Sequence, residues 1–192
     1  MIEQWLDLDE EQLIEIKKYW DLYEKNPEYG DYNHGKQFAS FINNYYRGDK
    51  LHPSILELGF GGGKFLGQMR ELKWRTYGIE IYTSICEKEV NTCIAPIWDM
   101  PYKDKIFDAI ASFDVFEHLL EKDILDSFKE VKRVLKDGGT FILKVAYNQS
   151  GETGVNEELL HPIVKSVLWW KRQLSKVFDD VQLIQSIYVI KN

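Results

Sequence analysis

Four glycines lie within the stretch Leu56–Lys64, which reads LELGFGGGK. The apolar residues before the first glycine predict a short buried strand, and the residues from Lys64 onward predict a helix. Glycine tolerates positive φ and lets the backbone approach a ligand with no Cβ in the way. A helix start adds free N–H groups and a partial positive charge. The stretch therefore predicts a loop that holds the polar end of a nucleoside-type ligand.

The glycine spacing indicates which ligand this is. In the dinucleotide fingerprint G-x-G-x-x-G, a start at Gly59 and Gly61 places the third glycine on Lys64, and no other register restores the pattern. Glu57 would also be a poor neighbour for a diphosphate, whereas its carboxylate suits an amine. The spacing thus disfavours a nicotinamide-dependent oxidoreductase, which remains the rival enzyme class.

A second carboxylate, Glu80, stands near the end of the predicted strand Thr76–Ile81. A carboxylate at that place can accept hydrogen bonds from both hydroxyls of a ribose. The alternative is a glycine loop that only makes a tight strand-to-helix turn. The presence of both Glu57 and Glu80 favours a ligand site.

The pattern formed by Glu57, Gly59, Gly61 and Gly63 resembles the first motif of class I S-adenosylmethionine-dependent methyltransferases. The resemblance implies S-adenosylmethionine as the cofactor, a compound with a carboxylate, an amine and a sulfonium but no diphosphate. The cofactor-binding residues that it implies are Glu57, Gly59, Phe60, Gly61, Gly63, Glu80, Ile81, Trp98, Asp99, Phe113 and Asp114.

Asp99–Tyr102, followed by Phe107–Ile110, resembles the LPF and FDVV segments of the same family, where the end of the third strand lines the adenine. The acid that is common in the family corresponds to Ile97 here, which is a departure. Asp99 would contact the adenine amine instead, with a backbone N–H near Trp98 serving the ring. Alternatively, Asp99 is a loop carboxylate that caps a turn.

Ser112–Leu119 resembles the family's EVLEH segment, which follows the fourth strand and implies that Phe113 and Asp114 lie beside the cofactor. His118 is then a candidate general base, because imidazole titrates near neutrality. Alternatively, Glu117 and His118 only begin and orient the next helix. A third possibility is a divalent ion on Asp114, Glu117 and His118, as in some quinone-biosynthesis O-methyltransferases. The favoured interpretation includes no metal.

Two regions remain to shape an acceptor pocket: the aromatic-rich N-terminus and the loop Tyr147–Gly154. Tyr29, Tyr32 and His34, between two predicted N-terminal helices, are the preferred pocket residues. His161, at the start of a predicted helix, is a second candidate base or a structural residue.

Strands alternate with helices from Ser54 onward, which predicts an α/β, Rossmann-like, doubly wound and mostly parallel seven-stranded sheet, or a truncated version of it. The last segment, Val181–Lys191, is either one strand or a hairpin that turns at Gln185 and Ser186. The predicted strands are 55–58, 76–81, 92–98, 106–113 and 140–146, and the predicted helices are 64–72, 83–89, 119–136 and 161–177.

Residues 1–50 are predicted to form a helical cap on a single methyltransferase unit of residues 51–192. Asp9 and Gln12 have the spacing of a capping box, and Pro27 ends the first helix. A second helix is predicted from near His34 to Arg47, with Gly48 as its stop. The predicted apolar faces are Leu13, Ile16, Trp20 and Tyr23 in the first helix and Phe38, Phe41, Ile42 and Tyr45 in the second.

The net charge of −7 disfavours general binding to nucleic acid or to anionic lipid. The two cysteines, Cys86 and Cys93, form no C-x-x-C pair, so neither a disulfide framework nor a structural zinc site is expected. The sequence has no apolar run of membrane-spanning length and no signal-peptide pattern at its first residues. We therefore expect a cytoplasmic location and no membrane partner.

These patterns predict an S-adenosylmethionine-dependent methyltransferase that acts on a small-molecule acceptor. The N-P-P-Y motif of amino-methylating nucleic-acid enzymes has only a superficial likeness here, in Asn26–Tyr29 before the sheet. The alternatives are a non-catalytic module that binds the nucleoside and, less favoured, an NAD-dependent oxidoreductase. The acceptor atom (oxygen, nitrogen or carbon) and the oligomeric state stay open.

Overall fold

The computed structural model describes residues 8–30, 35–82, 91–151, 153–184 and 186–192. Within these ranges, no helix is both long and apolar enough to cross a membrane. The strands are β1 (Ser54–Leu58), β2 (Arg75–Glu80), β3 (Thr92–Ile94), β4 (Phe107–Phe113), β5 (Leu135–Lys144), β6 (Asp180–Ile184) and β7 (Ile187–Lys191). The described α-helices are α1 (Glu10–Lys25), α2 (Ala39–Tyr46), α3 (Lys64–Glu71), α4 (Ile124–Val134) and α5 (Val167–Leu174).

All seven strands form one sheet in the order β3-β2-β1-β4-β5-β7-β6. The first five strands pair in parallel, and β7 is antiparallel to both β5 and β6. The predicted Rossmann-like α/β fold with a mostly parallel seven-stranded sheet is thereby confirmed. The chain runs outward from β1 to β3 and then returns to place β4 on the other side of β1. This reversal opens a crevice at the carboxyl ends of β1 and β4, where sheets of this type bind ligands.

Apolar side chains cover both faces of the sheet. Leu56 and Leu58 of β1 pack in the cluster that includes α4 and α5, whereas Ile55 packs in the cluster that includes α2 and α3. Successive strand residues point to opposite faces, so a central strand covered on both sides is apolar throughout. All seven residues of β4 are buried for the same reason.

The N-terminal helix α1 has the predicted capping box. The Asp9 side chain accepts from the Gln12 N–H at 3.0 Å, and the Gln12 side chain accepts from the Asp9 N–H at 3.1 Å. Its buried face differs from the predicted one, because Leu13 is 42% exposed while Tyr19 is buried. The first turn of α1 is held through polar contacts, among them a hydrogen bond of 2.7 Å from Gln12 to Asp123.

The second N-terminal helix is shorter than predicted. It consists of a 3₁₀ turn at Lys36–Phe38 and the α-helix α2, and Gly48 follows it with a φ of 57°. Tyr45, placed on the buried face by its spacing, is 71% exposed. The predictions for Tyr32, His34, Cys86 and the helix 83–89 lie outside the described residues.

Two predicted helices begin later than their apolar spacing suggests. Leu119 and Leu120 are extended between two 3₁₀ turns, so α4 begins only at Ile124, and it ends at Val134, where β5 follows directly. Ser166 caps α5 by accepting from the Trp169 N–H, so the residues around His161 precede the helix.

The last segment is a hairpin, which decides between the two alternatives for Val181–Lys191. Strands β6 and β7 pair in antiparallel fashion down to Ile184 and Ile187. The third strand is shorter than the predicted 92–98 and ends at Ile94, two residues before Pro96, whose missing N–H cannot extend a ladder.

Candidate functional site

A cavity of about 560 Å³ lies in the crevice between β1 and β4. Leu58 pairs with Ser112 in the sheet, so the glycine loop after β1 and the segment after β4 leave the sheet side by side. Asp114, the first residue after β4, has a φ of 54°, an uncommon conformation for a residue other than glycine. Such strained positions concentrate at binding sites.

The glycine loop has a geometry that requires glycine. Gly59 and Gly61 have φ values of 66° and 49°. A Cβ on Gly61 would lie 2.3 Å from the Gly30 carbonyl oxygen, and one on Gly59 would lie 2.5 Å from Val115. The loop therefore packs against Gly30, which follows α1, and against Val115, which follows β4. The backbone of Gly59 and Gly61 forms one wall of the cavity.

Glu80 ties the end of β2 to this loop. Its two carboxylate oxygens accept from the Gly61 N–H at 3.2 Å and from the Ile81 N–H at 2.8 Å. Burial raises the pKa of Glu80 above its ordinary value, although both hydrogen bonds act against the rise. Glu57 of β1 is also buried and lines the same cavity.

Most of the residues predicted from sequence meet in this cavity. Gly63 does not line it and instead precedes α3 with a φ of 72°. Asp99 is exposed in a turn outside it, while Pro96 and Trp98 form the wall there. The predicted residues that line the cavity are Glu57, Gly59, Phe60, Gly61, Glu80, Ile81, Trp98, Phe113, Asp114, His118 and His161.

The two candidate bases are neighbours at one end of the cavity. The rings of His118 and His161 are edge to face, with centroids 4.6 Å apart. The Ile163 N–H donates to the Glu117 carbonyl oxygen at 3.2 Å, which holds the segment of His161 against the 3₁₀ turn of His118. Potential ligand atoms of Glu117, His118 and His161 lie within 4.8 Å of one another.

Burial disfavours the charged forms of both Glu117 and His118. Burial, followed by the neighbouring His161, lowers the pKa of His118 to about 3. Burial also raises the pKa of Glu117 to about 8. Asp114 is not part of the cluster of Glu117, His118 and His161. Its carboxylate forms an ion pair with Lys144.

Helix α1 supplies cavity residues that sequence reasoning did not select. Tyr19 donates its hydroxyl proton to the Leu160 carbonyl oxygen at 2.6 Å and lies 2.7 Å from His118 Nδ1. Glu15 and Ile16 line the same cavity. The helical spacing of these residues indicated only a buried face. It could not indicate the contacts of Tyr19, because His118 and Leu160 are 99 and 141 residues further along the chain. Tyr29, which was selected, does line the cavity.

Comparison with known proteins identifies a methyltransferase domain within the chain. Residues 56–143 match the model of a methyltransferase domain family. Over these residues the chain is similar to methyltransferases, and its glycine loop resembles that of the class I S-adenosylmethionine-dependent members.

The proteins similar to the chain include two curated proteins and a solved structure. An uncharacterized protein of Methanocaldococcus jannaschii is 29% identical over 100 residues, which are 50% of this chain and 42% of that protein. A probable tRNA methyltransferase 9B of Homo sapiens is 28% identical over 146 residues, which are 72% of this chain and 30% of that protein. The chain thus spans less than half the length of either relative.

The solved structure is the 1,6-didemethyltoxoflavin-N1-methyltransferase of Burkholderia thailandensis, with its substrate and S-adenosylhomocysteine bound. It superimposes with a TM-score of 0.67 at 11% identity and covers 95% of this chain and 89% of its own. At this identity the similarity concerns the fold.

Proposed function

We propose that this protein transfers a methyl group from S-adenosylmethionine to a small-molecule acceptor. The observation that carries the proposal is one cavity that is lined both by the glycine loop and Glu80 and by His118 and His161. When bound, the cofactor supplies a methyl group on a positively charged sulfur, a leaving group that is already activated.

The residues present fit this cofactor. Gly59 and Gly61 offer backbone without side-chain bulk, and Glu80 keeps acceptor capacity beyond its two backbone hydrogen bonds for ribose hydroxyls. Ile81, Trp98, Phe113 and Asp114 complete the proposed cofactor end together with Glu57 and Phe60, and Gly63 contributes by positioning α3. Asp99 is exposed in this conformation, so its proposed contact with adenine requires the turn to move.

His118 and His161 are the proposed catalytic residues. The Asn148 carbonyl oxygen lies 2.7 Å from His161 Nδ1, so this nitrogen carries the proton and leaves the lone pair on Nε2. A lone pair fixed in this way can take a proton from an acceptor group. Burial lowers the pKa of His118 and so disfavours its charged form.

The contribution of α1 to the cavity wall supports a small acceptor. Five residues of α1 line it, so the predicted cap of residues 1–50 would cover the acceptor and exclude water. The net charge of −7 also opposes a polyanionic substrate, although one curated relative is a probable tRNA methyltransferase. The shortage of cysteines supports a reducing, cytoplasmic location.

The test follows a labelled methyl group. The protein is incubated with S-adenosylmethionine, labelled in its methyl group, and with a cell extract separated into tRNA, protein and low-mass fractions. We expect label to appear in the low-mass fraction and to disappear with a His161→Ala variant but not with His52→Ala, whose histidine is exposed. Label confined to tRNA would contradict the acceptor class, and binding without transfer to any fraction would favour a non-catalytic module.

A further inference from the structure

Three side chains that line the cavity form a cluster of nitrogen and oxygen donors. Potential ligand atoms of Glu117, His118 and His161 lie within 4.8 Å of one another. His161 reaches the cluster from a separate segment, and the Ile163 N–H bond to the Glu117 carbonyl oxygen fixes the two segments together. Asp114 is engaged by Lys144 and stands apart from this set.

Glu117 has an unsatisfied oxygen inside this cluster. Its side chain is fully buried, and Oε1 accepts from the Ala146 N–H at 2.7 Å. Oε2 is also buried and has no hydrogen-bond partner among the residues that the structure describes. A buried acceptor without a partner costs free energy, and a bound cation would remove that cost.

Both imidazole rings are oriented by backbone carbonyls. His161 Nδ1 lies 2.7 Å from the Asn148 carbonyl oxygen, and His118 Nδ1 lies 2.7 Å from that of Leu160. A carbonyl oxygen only accepts, so each Nδ1 carries the proton and each Nε2 carries the lone pair. Metal-ligating histidines are oriented in the same way, with the second nitrogen donating to a carbonyl.

We propose that Glu117, His118 and His161 bind one divalent transition-metal ion, zinc being the best match, with a fourth position left for water or an acceptor group. Two imidazoles and one carboxylate suit zinc better than magnesium or calcium, which prefer oxygen ligands. Zinc binds such ligands at about 2.0–2.2 Å, so ligand atoms that now lie within 4.8 Å of one another would move closer together on binding. The inference goes beyond methyl transfer and does not depend on the cofactor. An imidazole that binds the ion through Nε2 cannot also act as a base, so in the metal-bound protein the ion itself would lower the pKa of a water or acceptor group in the fourth position.

The test titrates chelator-treated, full-length protein with Co²⁺, read by its visible absorption, and with Zn²⁺, read by calorimetry. We expect one ion per chain, with affinity lowered roughly tenfold or more in His161→Ala and Glu117→Gln. The matched control is His52→Ala, because His52 is exposed and its ring contacts the Lys73 carbonyl oxygen outside the cavity.

S-Adenosylhomocysteine binding, measured on the same samples, reports folding and separates this inference from the proposed function. Wild-type protein that binds the nucleoside but neither ion at one per chain would overturn the metal site, as would equal loss in His52→Ala. Ion binding that persists without nucleoside binding would support the metal site and contradict the cofactor assignment.

Discussion

The backbone N–H of Gly61 donates to Glu80 Oε2 at 3.2 Å, which joins the loop after β1 to the end of β2. Neither residue acts alone, because the carboxylate shapes the loop and the loop orients the carboxylate. This bond brings together the two features of the sequence, the glycine loop and the acid after the second strand, that resemble the methyltransferase family. Four predictions follow from the fold and this cavity.

Glu80→Gln should weaken S-adenosylhomocysteine binding by about tenfold or more, which corresponds to about 1.4 kcal/mol. The carboxylate accepts from both Gly61 and Ile81, whereas an amide has one acceptor oxygen and would face one N–H with its own NH₂. Calorimetry on the two proteins measures the change. Glu71→Gln, an exposed substitution at the end of α3, should bind like wild type, and an equal affinity for Glu80→Gln would remove Glu80 from the site.

Tyr19→Phe should lower the free energy of unfolding by about 1 kcal/mol and reduce methyl transfer. The hydroxyl donates to the Leu160 carbonyl oxygen and contacts His118. Its loss therefore removes the polar contacts that hold α1 against His118. Denaturant unfolding and turnover measure both effects. The matched variant Tyr45→Phe removes an exposed hydroxyl and should change neither; if the two variants behave alike, α1 does not position His118.

Asp108→Asn should destabilise the fold by about 2 kcal/mol at neutral pH. Burial opposes ionisation of Asp108, but hydrogen bonds from Lys50, Ser54 and Lys136 outweigh it and hold its pKa below the ordinary value. A carboxyl whose pKa is lower in the folded state stabilises above its unfolded pKa near 3.9, and this stability is lost as the pH falls through the folded value.

The difference between wild type and Asp108→Asn should therefore be constant near neutrality and shrink below about pH 4. Urea unfolding at several pH values measures it. Asp137→Asn, which removes an exposed partner of Lys105, is the control and should have little effect at any pH. A gap for Asp108→Asn that grows on acidification would contradict the assigned direction.

The sheet and the glycine-loop wall of the cavity were predictable because their determinants are local. The glycine spacing, the carboxylate after the second strand and the apolar runs of β1 and β4 each depend on a few adjacent residues. The predicted start of α4 was wrong, because apolar spacing continues through Leu119 and Leu120 although both are extended. The predicted start of α5 was wrong because Ser166 caps that helix, five residues after His161.

The part of the cavity around His118 and His161 was only partly predictable. His118 and His161 were selected separately, and no pattern in the sequence indicated that they meet. Their contact depends on the hydrogen bond from Ile163 to the Glu117 carbonyl oxygen and on Tyr19 of α1, which are tertiary contacts. Because of these contacts, the observed donor cluster contains His161 with Glu117 and His118, whereas the set considered from sequence contained Asp114.

The most direct test of the cofactor site compares two alanine substitutions of glycine by calorimetry with S-adenosylhomocysteine. In Gly61→Ala the new Cβ meets the Gly30 carbonyl oxygen at 2.3 Å, whereas in Gly67→Ala, within α3, the nearest atom is 3.9 Å away. We predict that wild type and Gly67→Ala bind the nucleoside equally and that Gly61→Ala loses binding by at least roughly tenfold while still folded. Undiminished binding by Gly61→Ala, or a wild type that binds NAD in place of the adenosyl compound, would contradict the site.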